Sequence, residues 1–126
     1  MNFDDRRAHP RLKPRELTFV AIRPDFTRLG KIMDISGGGL CFQYMAKDKQ
    51  PPDGAAVQAD IFISSNGYYL PGVPCKMVYE KKAGQDLSFT VGLEYRACGL
   101  QFQGLTQEQT EKINYYLNKH TAGKAE

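Results

Sequence analysis

Cysteine and histidine are scarce in this chain. The three cysteines, Cys41, Cys75 and Cys98, are far apart, and the two histidines, His9 and His120, stand alone. An odd cysteine count without C-x-x-C spacing argues against both a disulfide framework and a zinc site, and predicts small, reduced core residues. No apolar run approaches the roughly 20 residues of a membrane span. The chain is polar from Asn2 onward, so no signal peptide is visible, and a cytoplasmic location is expected. Catalytic signatures are missing too. Ser36 has Asp34, not glycine, two positions before it, which rules out a G-x-S-x-G elbow. The run Gly37-Gly38-Gly39 is followed by Leu40 and Cys41 rather than by Gly-Lys-Ser/Thr, so it is no phosphate-binding P-loop. With no carboxylate pair or histidine cluster, the reading is a non-enzymatic chain with no metal and no cofactor.

What is present is an ordinary apolar fraction, 41%, and an ordinary charged fraction, 25%, over 126 residues, which is one domain's worth of core. The net charge of +3 has an address. Arg6, Arg7, Arg11, Lys13 and Arg15 outnumber Asp4 and Asp5 by three in the first 15 residues, and the remainder is balanced. A general nucleic-acid binder spreads its basic footprint over a face of the fold and interleaves it with exposed aromatics. Charge concentrated on one arm suits a small ligand with a few phosphates instead, and neither DNA nor RNA is expected as a partner.

Residues 1–15 read as a flexible basic arm, interrupted by Pro10 and Pro14. From Glu16 the apolar period becomes two. Strands are predicted over 16–23, 28–34, 39–45, 55–63, 72–81 and 87–97, with turns at Pro51-Pro52-Asp53-Gly54, Asn66-Gly67 and Ala83-Gly84-Gln85-Asp86. In the sixth segment Leu87, Phe89, Val91, Leu93 and Tyr95 share a face. The parity then switches to Leu100 and Phe102, which predicts a bulge near Cys98-Gly99 and a strand continuing to Gln103. Thr106 with Gln109 forms a capping box for a final helix, whose stripe Ile113, Tyr116, Leu117, His120 covers an open end of the sheet. Gly123 and the polar tail are expected to end that helix. The fold class is mainly β, a six-stranded antiparallel barrel with a C-terminal helix over residues 16–120, followed by a tail at 121–126.

Two motifs carry chemistry. In Arg7-Ala8-His9-Pro10-Arg11, two guanidinium forks can bond phosphate oxygens or the O6/N7 edge of guanine. By itself this spacing is as readily a solvated basic tail. In Asp34-Ile35-Ser36-Gly37-Gly38-Gly39, residues two apart on an extended segment share a face, so the Asp34 carboxylate and Ser36 hydroxyl converge. A carboxylate accepts from both N1–H and N2–H₂ of guanine, a donor pair adenine lacks. Gly37, Gly38 and Gly39 permit positive φ and let a planar ligand approach the backbone. The competing reading is a plain hairpin turn, which accounts for the glycines better than for the Asp-x-Ser spacing. The two motifs together describe a site for an anionic, guanine-bearing ligand.

The pattern Arg-x-x-x-Arg followed by Asp-x-Ser-x-x-Gly, ahead of the Gly99-Leu100-Gln101-Phe102 segment and a closing helix, resembles the PilZ domain. The resemblance runs from Asp5 to about Leu117. It implies a six-stranded split barrel, bacterial origin and a receptor for the second messenger cyclic di-GMP. It further implies that Arg7 and Arg11 bind guanine edges and phosphates, that Asp34 and Ser36 hold a guanine, and that Gly39 closes the motif. Arg6, Gly37 and Gly38 are expected at the margin of the site. The partners so implied are cyclic di-GMP and an unidentified downstream protein, in control of motility, pili, biofilm or exopolysaccharide. The alternative is a ligand-independent protein-interaction module of the same fold.

Overall fold

In the computed structural model, residues 10–23, 28–46, 54–63, 65, 67–82 and 94–124 are described. Arg6 and Arg7, the turn residues 51–53, 66 and 83–86, and the predicted strand portion 87–93 lie outside them. The elements in chain order are β1 (Leu12–Pro14), β2 (Thr18–Arg23), β3 (Leu29–Ile35), β4 (Gly39–Ala46), β5 (Ala56–Ile63), β6 (Tyr69–Lys82), β7 (Glu94–Phe102), α1 (Gln107–Lys119) and β8 (Thr121–Lys124).

Alternating apolar side chains need a covered face, and a closed sheet provides one without leaving edges. The order β2-β5-β6-β7-β4-β3 closes on itself through a β2–β3 ladder, with Phe19 opposite Lys31 and Ala21 opposite Leu29. This is the predicted six-stranded antiparallel barrel. Val20, Ile22, Ile32, Phe42, Ile61, Val73 and Met77 fill its interior, each 2% exposed or less. Each such side chain removed from water contributes about 1.5–3 kcal/mol before entropy is counted. Within the barrel wall, Arg28 Nε donates at 3.0 Å to both Glu80 Oε2 and the Tyr44 hydroxyl, and Tyr44 also donates to Glu80, so the buried cation and carboxylate compensate each other.

The helix forms where the capping box predicts. Thr106 Oγ1 accepts from the Gln109 amide at 3.1 Å, and Gln109 Oε1 accepts from the Thr106 amide at 3.0 Å. Ile113 and Tyr116 are buried against the barrel, and the Tyr116 hydroxyl lies 2.7 Å from Thr18 Oγ1, both in the interior. The stripe thus covers the barrel end.

Four local expectations change. First, β7 pairs with β4 without interruption from Gly39–Gln101 to Ala46–Glu94, so it holds no bulge at Cys98-Gly99. The extra residue sits on the opposing strand, at Val78 of β6, between the pairs Met77–Leu100 and Tyr79–Gly99. Cys98, Leu100 and Phe102 face the core while Tyr95 is 39% exposed. Second, β6 begins at Tyr69, three residues before the predicted start. Pro71-Gly72 resembles a turn, but left-handed Gly72 (φ +62) absorbs a bulge there, and its amide donates to buried Asp60 Oδ1 at 2.8 Å. Third, the helix stops at Lys119 with His120 as its C-cap, and Thr121–Lys124 form a strand rather than a helix end. Fourth, β1 inserts part of the arm into the sheet, between β3 and β8.

Candidate functional site

Ile32 and Ile35 are both buried, yet residues three apart on a regular strand face opposite ways. An extra residue at Met33, between the pairs Ile32–Phe42 and Asp34–Cys41, resolves the conflict. It keeps both isoleucines in the core and leaves Asp34 on the outer wall. Beyond the bulge the strand is regular, so Asp34 and Ser36 line one cavity, as their spacing predicts.

Ser36 is 8% exposed and builds the β3–β4 turn itself. Its amide donates to the Gly39 carbonyl at 2.8 Å, and its hydroxyl accepts from the Gly38 amide at 3.1 Å. The Gly38 carbonyl in turn accepts from the Phe102 amide at 2.9 Å, tying the turn to the end of β7. The hairpin reading is therefore right for Ser36 as well as for the glycines, and one acceptor lone pair of the hydroxyl is left for other use. None of Gly37, Gly38 and Gly39 is left-handed, so the positive φ that glycine permits is not used in this turn. A Cβ on Gly39 would lie 2.1 Å from the Leu100 carbonyl oxygen, so glycine is required here by close strand approach.

Arg11 arrives from the other side. Leu12 pairs with Ile35, which sets Arg11 beside Ser36 and brings its Nε to 3.9 Å from Asp34 Oδ1. That separation exceeds a hydrogen bond, and the Arg11 side chain is 44% exposed. Such an ion pair is worth about 0–1 kcal/mol, so separating the two groups costs little.

The cavity these groups border has a volume of about 350 Å3. Arg11, Asp34, Ser36, Gly38 and Gly39 line it together, and Gly37 lies in the same turn. Of the residues singled out in the sequence, Arg6 and Arg7 are outside the described set. Leu40, Cys41, Val78, Tyr79, Gly99, Leu100 and Gln101 complete the lining; Cys41 was expected in the core but is only half-buried, and none of the seven was assigned to the site from sequence. Cys41 shares parity with Gly39 and was legible on that ground. Tyr79 and Gly99 come from β6 and β7 through cross-strand register, which leaves no local signal.

Tyr79 forms the cavity's aromatic wall. Its hydroxyl donates to Cys41 Sγ at 3.1 Å, and Lys81 Nζ lies 5.5 Å from its ring centre. The ring lies across Gly99, where any Cβ would meet it at 2.2 Å. Burial raises the pKa of both the Cys41 thiol and the Tyr79 phenol, which stay protonated at neutral pH. Among the cavity's described lining residues, the formal charges are then those of Arg11 and Asp34. Among the described residues no group of three or more His, Cys, Asp or Glu side chains comes together to hold a metal.

An arginine on a leading arm, poised over an acid–hydroxyl–glycine hairpin on a six-stranded barrel, agrees with the comparison of sequences. Residues 5–119 match the PilZ domain family. The chain belongs to the PilZ domain family. Solved structures agree on the fold. This PilZ domain is similar to the Bacillus subtilis inhibitor of motility, MotI/DgrA, with a TM-score of 0.64 at 16% identity over 90% of this chain and 52% of that one. It is similar to Escherichia coli YcgR in complex with c-di-GMP, with a TM-score of 0.64 at 11% identity over 90% of this chain and 45% of that one. It is also similar to K. pneumonia MrkH in its apo state, with a TM-score of 0.66 at 19% identity over 94% of this chain and 49% of that one. The PilZ domain described here thus spans about half the length of each of these three. Among curated proteins, no sequence relative is found. No helix among the described residues is long and apolar enough to cross a membrane.

Proposed function

We propose that this PilZ domain is a non-enzymatic receptor for cyclic di-GMP. The observation that carries the reading is the meeting of Arg11 and Asp34, 3.9 Å apart, at one cavity with Ser36, Gly38 and Gly39. Its family, and the fold it shares with YcgR in complex with c-di-GMP, support the choice of ligand. Asp34 accepts the N1–H and N2–H₂ donors of one guanine. Arg11, and Arg7 four residues before it, take phosphate oxygens or the O6/N7 edge, with Arg6 at the margin. The glycine turn lets the planar base approach the backbone. A cavity of about 350 Å3 sits at the small end of the range for ligand pockets, which suits one half of the dinucleotide.

The ligand then bridges the basic arm and the barrel wall and neutralises much of the arm's charge. A downstream protein reads that altered surface. Two phosphate–arginine contacts and one paired guanine supply about 8 kcal/mol net, a micromolar affinity.

Calorimetry with cyclic di-GMP and cyclic di-AMP tests this. The wild-type chain should bind the guanine ligand in the micromolar range. Arg11→Ala and Arg7→Ala should each abolish measurable binding. Asp34→Ala should erode the preference for guanine by about 1–3 kcal/mol, the worth of one bidentate base contact. Wild-type affinity in Arg11→Ala would refute the assigned site. No binding by the wild type would leave a ligand-independent interaction module.

A further inference from the structure

Strand β1 is three residues long and includes Pro14, which has no amide to donate. Its registered pairing with β3 is the single pair Leu12–Ile35. A strand so short, held on one edge by one pair, recovers little of the entropy lost in ordering it. Its other edge is covered by β8, with Leu12 opposite Lys124 and Pro14 opposite Thr121.

That second ladder contains an irregularity with a specific requirement. Two steps along β1 match three along β8, so β8 carries one extra residue. Gly123 lies in this stretch at φ +111, a conformation L side chains rarely adopt. A Cβ there would meet nothing within 4 Å, so the need for glycine is one of backbone conformation, not packing. The rest of the junction is tied as well. The Arg15 amide donates to the His120 carbonyl at 2.7 Å, and His120 Nδ1 lies 3.1 Å from Glu16 Oε1. Thr121 Oγ1 donates to the Leu117 carbonyl at 2.5 Å, anchoring the first residue of β8 to the helix.

We propose that β8 is a positioning element of the ligand site: by pairing with β1 through the Gly123 bulge, it holds Arg11 over Asp34. The proposal rests on the receptor reading above. It makes the C-terminal segment an energetic partner of a cavity it does not line. Linkage then works both ways: a strand that favours ligand binding is itself favoured by the ligand.

The test compares Gly123→Val with Gly54→Val in the full chain, by calorimetry with cyclic di-GMP. Gly54 is also left-handed (φ +91), and a Cβ there also meets open space, so it carries the same backbone lesion away from β1. The expectation is an affinity about tenfold or more weaker in Gly123→Val, equivalent to about 1.4 kcal/mol, and an unchanged affinity in Gly54→Val. Equal affinity in wild type and Gly123→Val overturns the proposal, as does an equal loss in both variants. A second readout uses the wild type alone, in case Gly123→Val does not fold. Cyclic di-GMP should slow amide hydrogen exchange across residues 121–124, and exchange unaltered at saturation overturns the proposal. A wild-type chain that binds no cyclic di-GMP refutes the receptor reading itself, and is told apart by that baseline.

Discussion

Gly39 and Gly99 are both needed for space, but what crowds them differs. At Gly39 the obstacle is backbone, the Leu100 carbonyl oxygen at 2.1 Å, and strands β4 and β7 have to part to admit a methyl group. At Gly99 it is the Tyr79 ring at 2.2 Å, which can swing. Gly39→Ala should therefore lower stability by about 1–3 kcal/mol in urea titration, the usual cost of overpacking. Gly99→Ala should cost less and instead displace the Tyr79 ring that walls the cavity. The residues of the site were only partly legible in advance. Asp34 and Ser36 were readable because the two-residue period is local. Ser36's engagement in its own turn was not, since nothing in Asp-x-Ser shows whether the hydroxyl faces a ligand or the Gly38 amide. Tyr79 was out of reach because its place depends on pairing between distant strands.

The elements tell a similar story about local and non-local signals. The capping box lies within four residues and was fully readable. Gln109 also reaches outward, its Nε2 donating to the Gly72 carbonyl at 3.3 Å, so one side chain joins the helix start to the β6 bulge. Thr106→Ala removes the N-cap and should cost about 1 kcal/mol, seen as a lower urea midpoint, with cyclic di-GMP affinity unchanged. The bulges were less accessible. A change of apolar parity in a sequence can mark an extra residue in that strand, or only an apolar side chain left on the outer face. Within the described part of β7 the parity is constant, with Tyr95 on the outer face, and the extra residue is Val78 of the paired strand β6. The short strands β1 and β8 have almost no pattern of their own. β1 exists because β3 and β8 lie alongside it, and β8 because β1 does.

At the scale of the whole molecule, protons held in the core should set the alkaline limit of stability. Burial pushes the Cys75 thiol from 9.0 up to about 12 and the Tyr116 phenol from 10.0 up to about 12. Both are acids whose neutral form the fold prefers. Their contribution is fully present below the unfolded values and is lost as pH rises through the folded ones. Denaturant midpoints should be level as pH approaches 9 and then fall toward 12, with a shallower fall in Cys75→Ala. A flat profile across that window would contradict the burial of these groups.

The alternating strands, the capped helix, the arm that carries all the net charge and the acid–hydroxyl–glycine motif follow from local sequence, because each is written in neighbouring residues. Closure of the barrel through β2 and β3, the insertion of part of the arm as a strand between β3 and β8, and the resulting approach of Arg11 to Asp34 emerge from the folded chain alone. Those outcomes depend on which distant segments pair and in what register. Pairing energy is shared between strands, so neither strand's residues specify it alone.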